Sequence, residues 1–188
     1  MPVNPYLEGR YAPVTDELTV DTLEVVGTLP EELDGVYVRN GPNPRFAPPG
    51  RYHWFDGDGM LHSVRLRGGR ASYRNRWVRT RGFEREAAAE TALWGGVMEP
   101  VAGNPRDMPL KDTANTDVVP FGDRLLALWY LTGAPYAVDP VSLSTLGVED
   151  FDGTLRCDMS AHPKVLLPAR VPIGFHACWM PGAAVSDN

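Results

Sequence analysis

The segment from His53 to His62, with the sequence HWFDGDGMLH, contains the residues that are best suited by type and spacing to bind a metal ion. If its central four residues form a hairpin turn, His53 lies opposite His62 on the two paired strands. Cross-strand partners have Cβ atoms about 4.5–5.5 Å apart, so the two imidazoles could chelate one metal ion. The pattern supplies only two nitrogen ligands, and a structural hairpin with stacked or hydrogen-bonded histidines is the alternative interpretation.

Two acidic residues of the same segment, Asp56 and Asp58, alternate with glycines in a manner that resembles a calcium-binding loop. The rest of an EF-hand loop is absent, because the sixth position counted from Asp56 is Leu61 instead of Gly and the twelfth is Arg67 instead of Glu. We therefore predict that both carboxylates accept hydrogen bonds from nearby backbone N–H groups in a turn.

The other two histidines of the sequence, His162 and His176, carry weaker local signals. Pro163 follows His162 and favours an extended backbone at the histidine. A single histidine on a strand is more often a structural residue than a ligand, so spacing alone does not select His162. His176 lies two residues before Cys178, but a nucleophilic Cys–His site also needs an oxyanion hole and an orienting group, which this sequence does not identify.

Short strands separated by turns must position these residues. We predict a strand over residues 35–39 that ends at Asn40-Gly41-Pro42, and a three-stranded meander over residues 51–78 with turns at DGDG and at Gly68-Gly69. Further strands are predicted from alternating or β-branched segments at 116–121, 124–131 and 136–140.

A single segment favours a helix. Residues 83–90, FEREAAAE, are rich in strong helix formers, whereas the Pro- and Gly-containing residues 97–112 predict a long loop. Residues 139–153 read as a turn-bearing connector. The sequence therefore predicts an all-β chain with one short helix.

Composition and charge limit the functions that are open to this chain. A formal net charge of −6 argues against a nucleic-acid partner, which normally requires a basic excess. Eight arginines nevertheless concentrate between positions 65 and 85, where a solvated strand face and a contact with an anionic membrane or substrate are both open interpretations. Two cysteines without a disulfide framework, and no apolar run of about 18 residues, predict a cytoplasmic protein that is at most peripheral to a membrane.

Seven motifs resemble, in the same order, the start of the carotenoid cleavage oxygenase family, which includes carotenoid, apocarotenoid and lignostilbene dioxygenases. They are NPYLEGRYAPV, the Gly27-x-Leu-Pro segment that leads to GVYVRNGPNPRF, HWFDGDGMLH, YRNRWVRT, Asn115-Thr116 with GDRLLALW, PYAVDPVSLSTLG, and SAHPKV, spread over residues 4–165. The resemblance implies an all-β fold, namely the N-terminal blades of an incomplete seven-bladed β-propeller, with a short helix.

The same resemblance implies iron chemistry. Family members hold one Fe(II) ion with four histidines, and His162 of the SAHPKV motif corresponds to the first of these metal ligands. Four neutral imidazoles suit Fe(II) and leave positions open for O₂. The implied reaction cleaves one C=C bond of a carotenoid, apocarotenoid or stilbene into two carbonyl products, without catalytic residues beyond the metal site. By resemblance, His53 and His62 belong to a structural hairpin and not to the iron site.

Two features depart from the family pattern. Many relatives carry an acidic residue after the Trp of GDRLLALW, where it orients a metal-bound imidazole, whereas this chain has the uncharged Tyr130. After Val165 the sequence shows no strand alternation and no family motif. We therefore expect an N-terminal arm at 1–22, a partial propeller at 23–165 and an irregular tail at 166–188, in a truncated chain without turnover of its own. The alternative is a non-enzymatic β scaffold that binds an apolar ligand or a partner protein.

Overall fold

A computed structural model describes residues 4–131 and 133–161, and the backbone of residues 177–181. Within these residues the chain forms nine strands and one α-helix, α1 (Arg81–Ala89), which follows the fourth strand. The strands are β1 (Thr19–Val20), β2 (Gly35–Pro42), β3 (Gly59–Arg67), β4 (Arg70–Trp77), β5 (Asp117–Phe121), β6 (Arg124–Leu128), β7 (Tyr136–Val138), β8 (Thr145–Val148) and β9 (Ala177–Pro181). The predicted all-β fold class with one short helix is confirmed.

The strands form two antiparallel sheets. Sheet A has the strand order β1-β4-β3-β2-β9, and sheet B is the simple meander β5-β6-β7-β8. Residues alternate between buried and exposed along β2, as expected for a strand with one face on the core. The core between the sheets contains Val36, Val38 and Leu61 from sheet A and Val118, Leu125 and Val138 from sheet B. Each buried aliphatic side chain stabilises the fold by about 1.5–3 kcal/mol.

Helix α1 has clear start and stop signals. The Thr80 hydroxyl accepts a hydrogen bond from the Phe83 backbone N–H at 3.0 Å, and Glu90 ends the helix in a left-handed conformation with φ 54°. Phe83 is buried against Met60 and Trp77 of sheet A. The same buried face carries Glu86, which helix α1 thereby holds inside the molecule.

Two predictions about β2 and β3 are wrong. Strand β2 continues through Asn40, Gly41 and Pro42, because these residues pair with β3 down to Gly59; the proline occupies the last position, where a missing N–H is tolerated. The hairpin across DGDG does not form, since β3 pairs with β2 and β4, and His62 lies opposite Arg39.

The DGDG segment packs closely against the chain at Thr113 and Ala114, which explains why no hairpin forms there. The Gly59 backbone N–H donates to the Thr113 carbonyl at 2.8 Å, and a Cβ atom at Gly59 would lie 2.4 Å from the Ala114 carbonyl oxygen. Only glycine permits this approach. The segment is thus a crossing point between the start of β3 and the chain that enters sheet B.

Two more differences concern the second half of the chain. The predicted connector at 139–153 contains strand β8, in which Gly147 has φ +132° opposite a bulge between Ala137 and Val138, so its pattern is irregular. Strand β9, within the segment predicted to be an irregular tail, pairs with β2 from Gly35 to Arg39.

The turn at Gly68-Gly69 between β3 and β4 is confirmed. The division into arm, partial propeller and tail stays a prediction.

Candidate functional site

A cavity of about 210 Å³ lies where the DGDG segment, the end of β6 and the loop after α1 meet. Its wall contains six aromatic side chains, Phe46, Tyr52, Phe55, Trp94, Trp129 and Tyr130. Aliphatic and charged residues complete the lining, including Val97, Leu110, Leu131, Asp58, Glu86 and Lys111. The cavity therefore combines an apolar surface for a flat or elongated molecule with a charged floor.

The aromatic part of the wall is organised around Tyr130. Its ring lies 4.5 Å from the Phe55 ring and 5.6 Å from the Trp129 ring, measured between centroids. The Tyr130 backbone N–H donates to the Thr116 hydroxyl at 3.0 Å. Burial, and to a smaller extent the charge of Asp56, raise the pKa of Tyr130, so the phenol keeps its proton at neutral pH.

Asn115 joins this wall to the DGDG segment. Its side-chain amide donates to the carbonyl oxygens of Phe55 at 3.0 Å and Gly57 at 2.6 Å, while its Oδ1 accepts from the Thr116 hydroxyl at 2.9 Å. A second asparagine, Asn40, donates to the carbonyls of Ala114 and Asp117. These buried amides donate to carbonyl groups of the connecting loops and of the first residue of β5, and they fix the two sheets relative to each other.

The two acidic residues of DGDG accept backbone hydrogen bonds, but only one of the donors, His53, belongs to the same turn, as predicted for all of them. Asp56 accepts from the N–H groups of His53 and Val97, each at 2.8 Å. Asp58 accepts from the Arg45 N–H at 3.0 Å through Oδ2. Asp58 Oδ1 instead faces a cation that the sequence pattern does not reveal.

That cation is Lys111. Its Nζ lies 2.5 Å from Asp58 Oδ1 and 2.6 Å from Glu86 Oε2, and the three side chains are only 10%, 3% and 4% exposed. Burial alone lowers the pKa of Lys111, but Asp58 and then Glu86 raise it, and the resulting pKa lies above its ordinary value. The only available sequence signal is Glu86, an acidic residue on the apolar face of a helix. We call Asp58, Glu86 and Lys111 the buried ionic triad.

The two histidines of HWFDGDGMLH do not form a ligand pair, because each has its own contacts elsewhere. His53 caps the single-turn 3₁₀ helix Trp54–Asp56, and its Nδ1 accepts from the Phe55 N–H at 3.2 Å. His62 Nδ1 lies 2.7 Å from the Tyr73 hydroxyl, and burial, followed by the charge of Arg39, lowers its pKa. These contacts fit the assignment of His53 and His62 as structural residues. The hairpin that was expected to pair them is absent.

In the described part of the chain, no three His, Cys, Asp or Glu side chains come together as a metal site would require. These residues alone therefore do not fit a ferrous ion. His162, the ligand implied by resemblance, and His176 both lie outside the described residues.

The segment that leads to His162 is nevertheless fixed up to its last described residue. The Ala161 N–H donates to the Trp129 carbonyl at 2.8 Å, and the Ser160 hydroxyl to the Tyr130 carbonyl at 3.3 Å. Ala161 is fully buried in a cluster with Leu126 and Leu128 of β6. The chain thus runs beside the end of β6, where Trp129 and Tyr130 border the cavity.

Comparisons with known proteins agree with this arrangement. The profile of the family described as RPE65, Retinal pigment epithelial membrane protein, matches residues 11–166. The carotenoid cleavage oxygenase of Mycobacterium tuberculosis is 44% identical over 165 residues, which are 86% of this chain and 31% of the relative.

Two solved structures are also similar. The lignostilbene dioxygenase of Pseudomonas brassicacearum has a TM-score of 0.78 and 32% identity, over 87% of this chain and 34% of that one. The cobalt-substituted apocarotenoid oxygenase of Synechocystis has a TM-score of 0.67 and 33% identity, over 80% of this chain and 32% of that one.

The arrangement of the two sheets is thus similar to that of the matching third of these solved oxygenases. The chain belongs to the RPE65 and carotenoid cleavage oxygenase family. It spans about a third of the length of the relatives it matches. Over the described residues, none of the helical segments is both long and apolar enough for a membrane span.

Proposed function

We propose that this chain forms the first blades of a non-haem Fe(II) dioxygenase that cleaves a C=C bond of a carotenoid, an apocarotenoid or a stilbene. One observation carries the proposal. Residues 160 and 161, which lead directly into His162, are hydrogen-bonded to Tyr130 and Trp129, just after β6 and at the border of the aromatic cavity. A metal ligand would therefore adjoin a surface suited to an apolar alkene.

His162 is the residue we assign to the metal in this proposal. Ala161 is buried and hydrogen-bonded, so the residue after it would begin from a rigid anchor, as a metal ligand requires. A cobalt-substituted relative of similar structure supports a metal centre in the family. Because His53 and His62 are engaged in the fold, the other ligands would come from outside the described residues.

The aromatic wall suggests how the substrate is held. Phe55, Trp129 and Tyr130 offer ring faces and edges to a conjugated chain, and binding would remove apolar surface from water. Tyr130 is uncharged at neutral pH, so at this position the wall adds no negative charge. When bound, iron would supply the activation of O₂; the protein residues orient the alkene and exclude water.

The reaction balances without a further reductant. Cleavage of the C=C bond is a four-electron oxidation, and O₂ accepts the four electrons as one oxygen atom enters each carbonyl product. The partners proposed are therefore an apolar polyene or stilbene-like substrate and O₂. A peripheral membrane contact, which would give access to such substrates, and a cytoplasmic location belong to the same proposal.

A chimera provides the test, because the chain spans about a third of its relatives. The matching third of the Pseudomonas brassicacearum lignostilbene dioxygenase is replaced by this chain, and cleavage of a hydroxystilbene and an apocarotenal is followed under ¹⁸O₂. We expect two carbonyl products that each carry one ¹⁸O atom. His162→Ala should lower turnover at least about 100-fold, while His53→Asn, which keeps a capping side chain, should leave it within about threefold.

The same experiment separates the enzyme from a non-enzymatic β scaffold. That second function is favoured by the engagement of both described histidines in the fold. A scaffold would bind the apolar ligand in the folded chimera without forming carbonyl products. Equal turnover in the chimera and in its His162→Ala variant would contradict the assignment of His162.

A further inference from the structure

The aromatic cavity has an apolar opening and a charged floor. Phe55, Val97 and Leu131 line the opening and are 40%, 42% and 45% exposed. Asp58 and Glu86 lie deeper, with side chains that are only 3% and 4% exposed. The cavity volume of about 210 Å³ is smaller than the roughly 300–1,000 Å³ that encloses a drug-sized ligand, so the cavity holds one end of an elongated molecule. The chemical group at that end meets the charged floor.

Negative charge exceeds positive charge in the lining of this cavity. Among the described residues, the charged side chains that line it are the carboxylates Asp56, Asp58, Glu86 and Glu99 and the basic groups Arg51 and Lys111. The Arg51 guanidinium pairs with Glu99 at 2.9 Å, so these two charges offset each other. In the buried ionic triad, the single charge of Lys111 faces two carboxylates, which leaves one negative charge at the floor.

Asp56 adds a second negative charge to the lining. Its hydrogen bonds come from the uncharged backbone N–H groups of His53 and Val97, each at 2.8 Å. These bonds hold the carboxylate in place, but they bring no positive charge that would offset it. The wall of the cavity therefore carries an excess of two negative charges among the described residues.

Two arginines of neighbouring segments direct their charges elsewhere. The Arg85 guanidinium lies 5.3 Å from the Trp94 ring and pairs with Asp107 at 2.9 Å. The Arg45 guanidinium lies 4.8 Å from the Trp77 ring and donates to the Thr15 carbonyl. Neither arginine lines the cavity, so the negative excess at the floor persists.

Two tyrosines of the wall respond to this negative charge. Burial is the main cause that raises the pKa of Tyr52, and the charges of Asp56 and Asp58 raise it further. Burial and then the charge of Asp56 also raise the pKa of Tyr130. Ionisation of either phenol would place an anion in the wall, which the loss of water and the carboxylates both oppose. A carboxylate that a ligand brings into the cavity meets the same two obstacles.

We propose that the cavity selects ligands by charge: it accepts an apolar molecule whose inserted end is neutral or cationic and rejects one whose inserted end is a carboxylate. A hydroxyl group can donate a hydrogen bond to a carboxylate of the floor, and an ammonium group also interacts favourably with aromatic rings. A carboxylic acid is ionised at neutral pH and would bury an unpaired charge. The inference rests on the proposed dioxygenase function for the apolar character of the ligand, and it makes apocarotenoid acids and stilbene carboxylates poor substrates.

Stilbenes that differ only in one para substituent test this order directly. The hydroxymethyl compound is neutral, the aminomethyl compound is cationic and the carboxylate is anionic. Each is titrated into the 188-residue chain at neutral pH and constant ionic strength, and binding is followed by quenching of tryptophan fluorescence, since Trp94 and Trp129 line the cavity. We expect the carboxylate to bind at least about tenfold more weakly than the neutral compound, and the ammonium compound to bind at least as tightly.

Two variants of helix α1 assign the effect to the floor of the cavity. Glu86→Gln removes one floor charge with little change of shape, and Glu84→Gln, which removes an exposed charge from the same helix, is the matched control. We expect Glu86→Gln to narrow the difference between the neutral and the anionic compound at least about threefold, and Glu84→Gln to leave it unchanged. Should Glu86→Gln fail to fold, as judged by circular dichroism, Glu99→Gln takes its place, because it leaves the charge of Arg51 without its partner.

Equal affinities for the neutral and the anionic compound, equal effects of Glu86→Gln and Glu84→Gln, or no saturable binding of the neutral compound would each overturn the proposal. The binding assay needs neither iron nor O₂, so its outcome is separate from that of the chimera. The expected order of affinities without cleavage by the chimera would contradict the dioxygenase function alone. Cleavage of the neutral and the anionic stilbene with equal efficiency would contradict charge selection alone.

Discussion

The buried ionic triad and the arginine-rich β3–β4 hairpin place charged residues in opposite environments. In the triad, one lysine lies between two carboxylates, and Glu86 and Asp58 also accept backbone N–H groups from Leu93 and Arg45. In the β3–β4 hairpin, Arg67 lies directly opposite Arg70, and both residues are exposed. The difference indicates that the triad stabilises the fold around the cavity from inside, whereas the hairpin keeps these charges at the surface.

The largest expected effect comes from breaking the triad. Lys111→Met leaves two carboxylates side by side in a buried environment, so we expect a loss of about 3–5 kcal/mol in the free energy of unfolding, measured by urea denaturation. Arg85→Gln is the control, because its ion pair with Asp107 is exposed and its loss should cost less than about 1 kcal/mol. Equal losses in the two variants would refute the structural role of the triad.

A smaller effect is expected from the titration of His62, which lies on strand β3 of the same hairpin. Because the pKa of His62 is lowered below its ordinary 6.5 in the folded state, the unfolded chain takes up its proton first as the pH falls. The stabilisation associated with neutral His62 is therefore complete above pH 6.5 and is lost as the pH falls toward the folded-state pKa. This contribution changes by at most about 1.4 kcal/mol per pH unit.

His62→Gln removes this titration. Urea denaturation between pH 7.5 and about 5 should show a shallower loss of stability in the variant than in the unchanged chain, since all carboxylates are common to both. Parallel curves over this range would show that His62 does not titrate differently in the folded and unfolded states.

Local patterns predicted the elements whose signals are themselves local. The turn at Gly68-Gly69 follows from glycine content, and α1 follows from the helix formers at 83–90, although its Thr80 cap and its first two residues precede the predicted segment. Strand β8 was not predicted, because Gly147 and the bulge beside it disturb the alternation.

The candidate site depends on contacts between distant segments, which local patterns do not contain. DGDG has the composition of a hairpin turn, but the bond between Gly59 and Thr113 makes it a crossing point instead. Lys111 lies in a predicted loop, and its burial follows only from the positions of Asp58 and Glu86. His162 was selected by resemblance alone, because a single histidine before a proline has no distinguishing pattern.

Metal binding tests the central claim most directly, namely that His162 supplies a ligand to an iron dioxygenase. The chimera, its His162→Ala variant and its His62→Gln variant are loaded with Co(II) under identical conditions, and binding is followed by visible absorption and elemental analysis. We predict about one tightly bound ion in the chimera and in His62→Gln, and at least about a tenfold loss of affinity in His162→Ala. Unchanged Co(II) affinity in the folded His162→Ala variant would contradict the account.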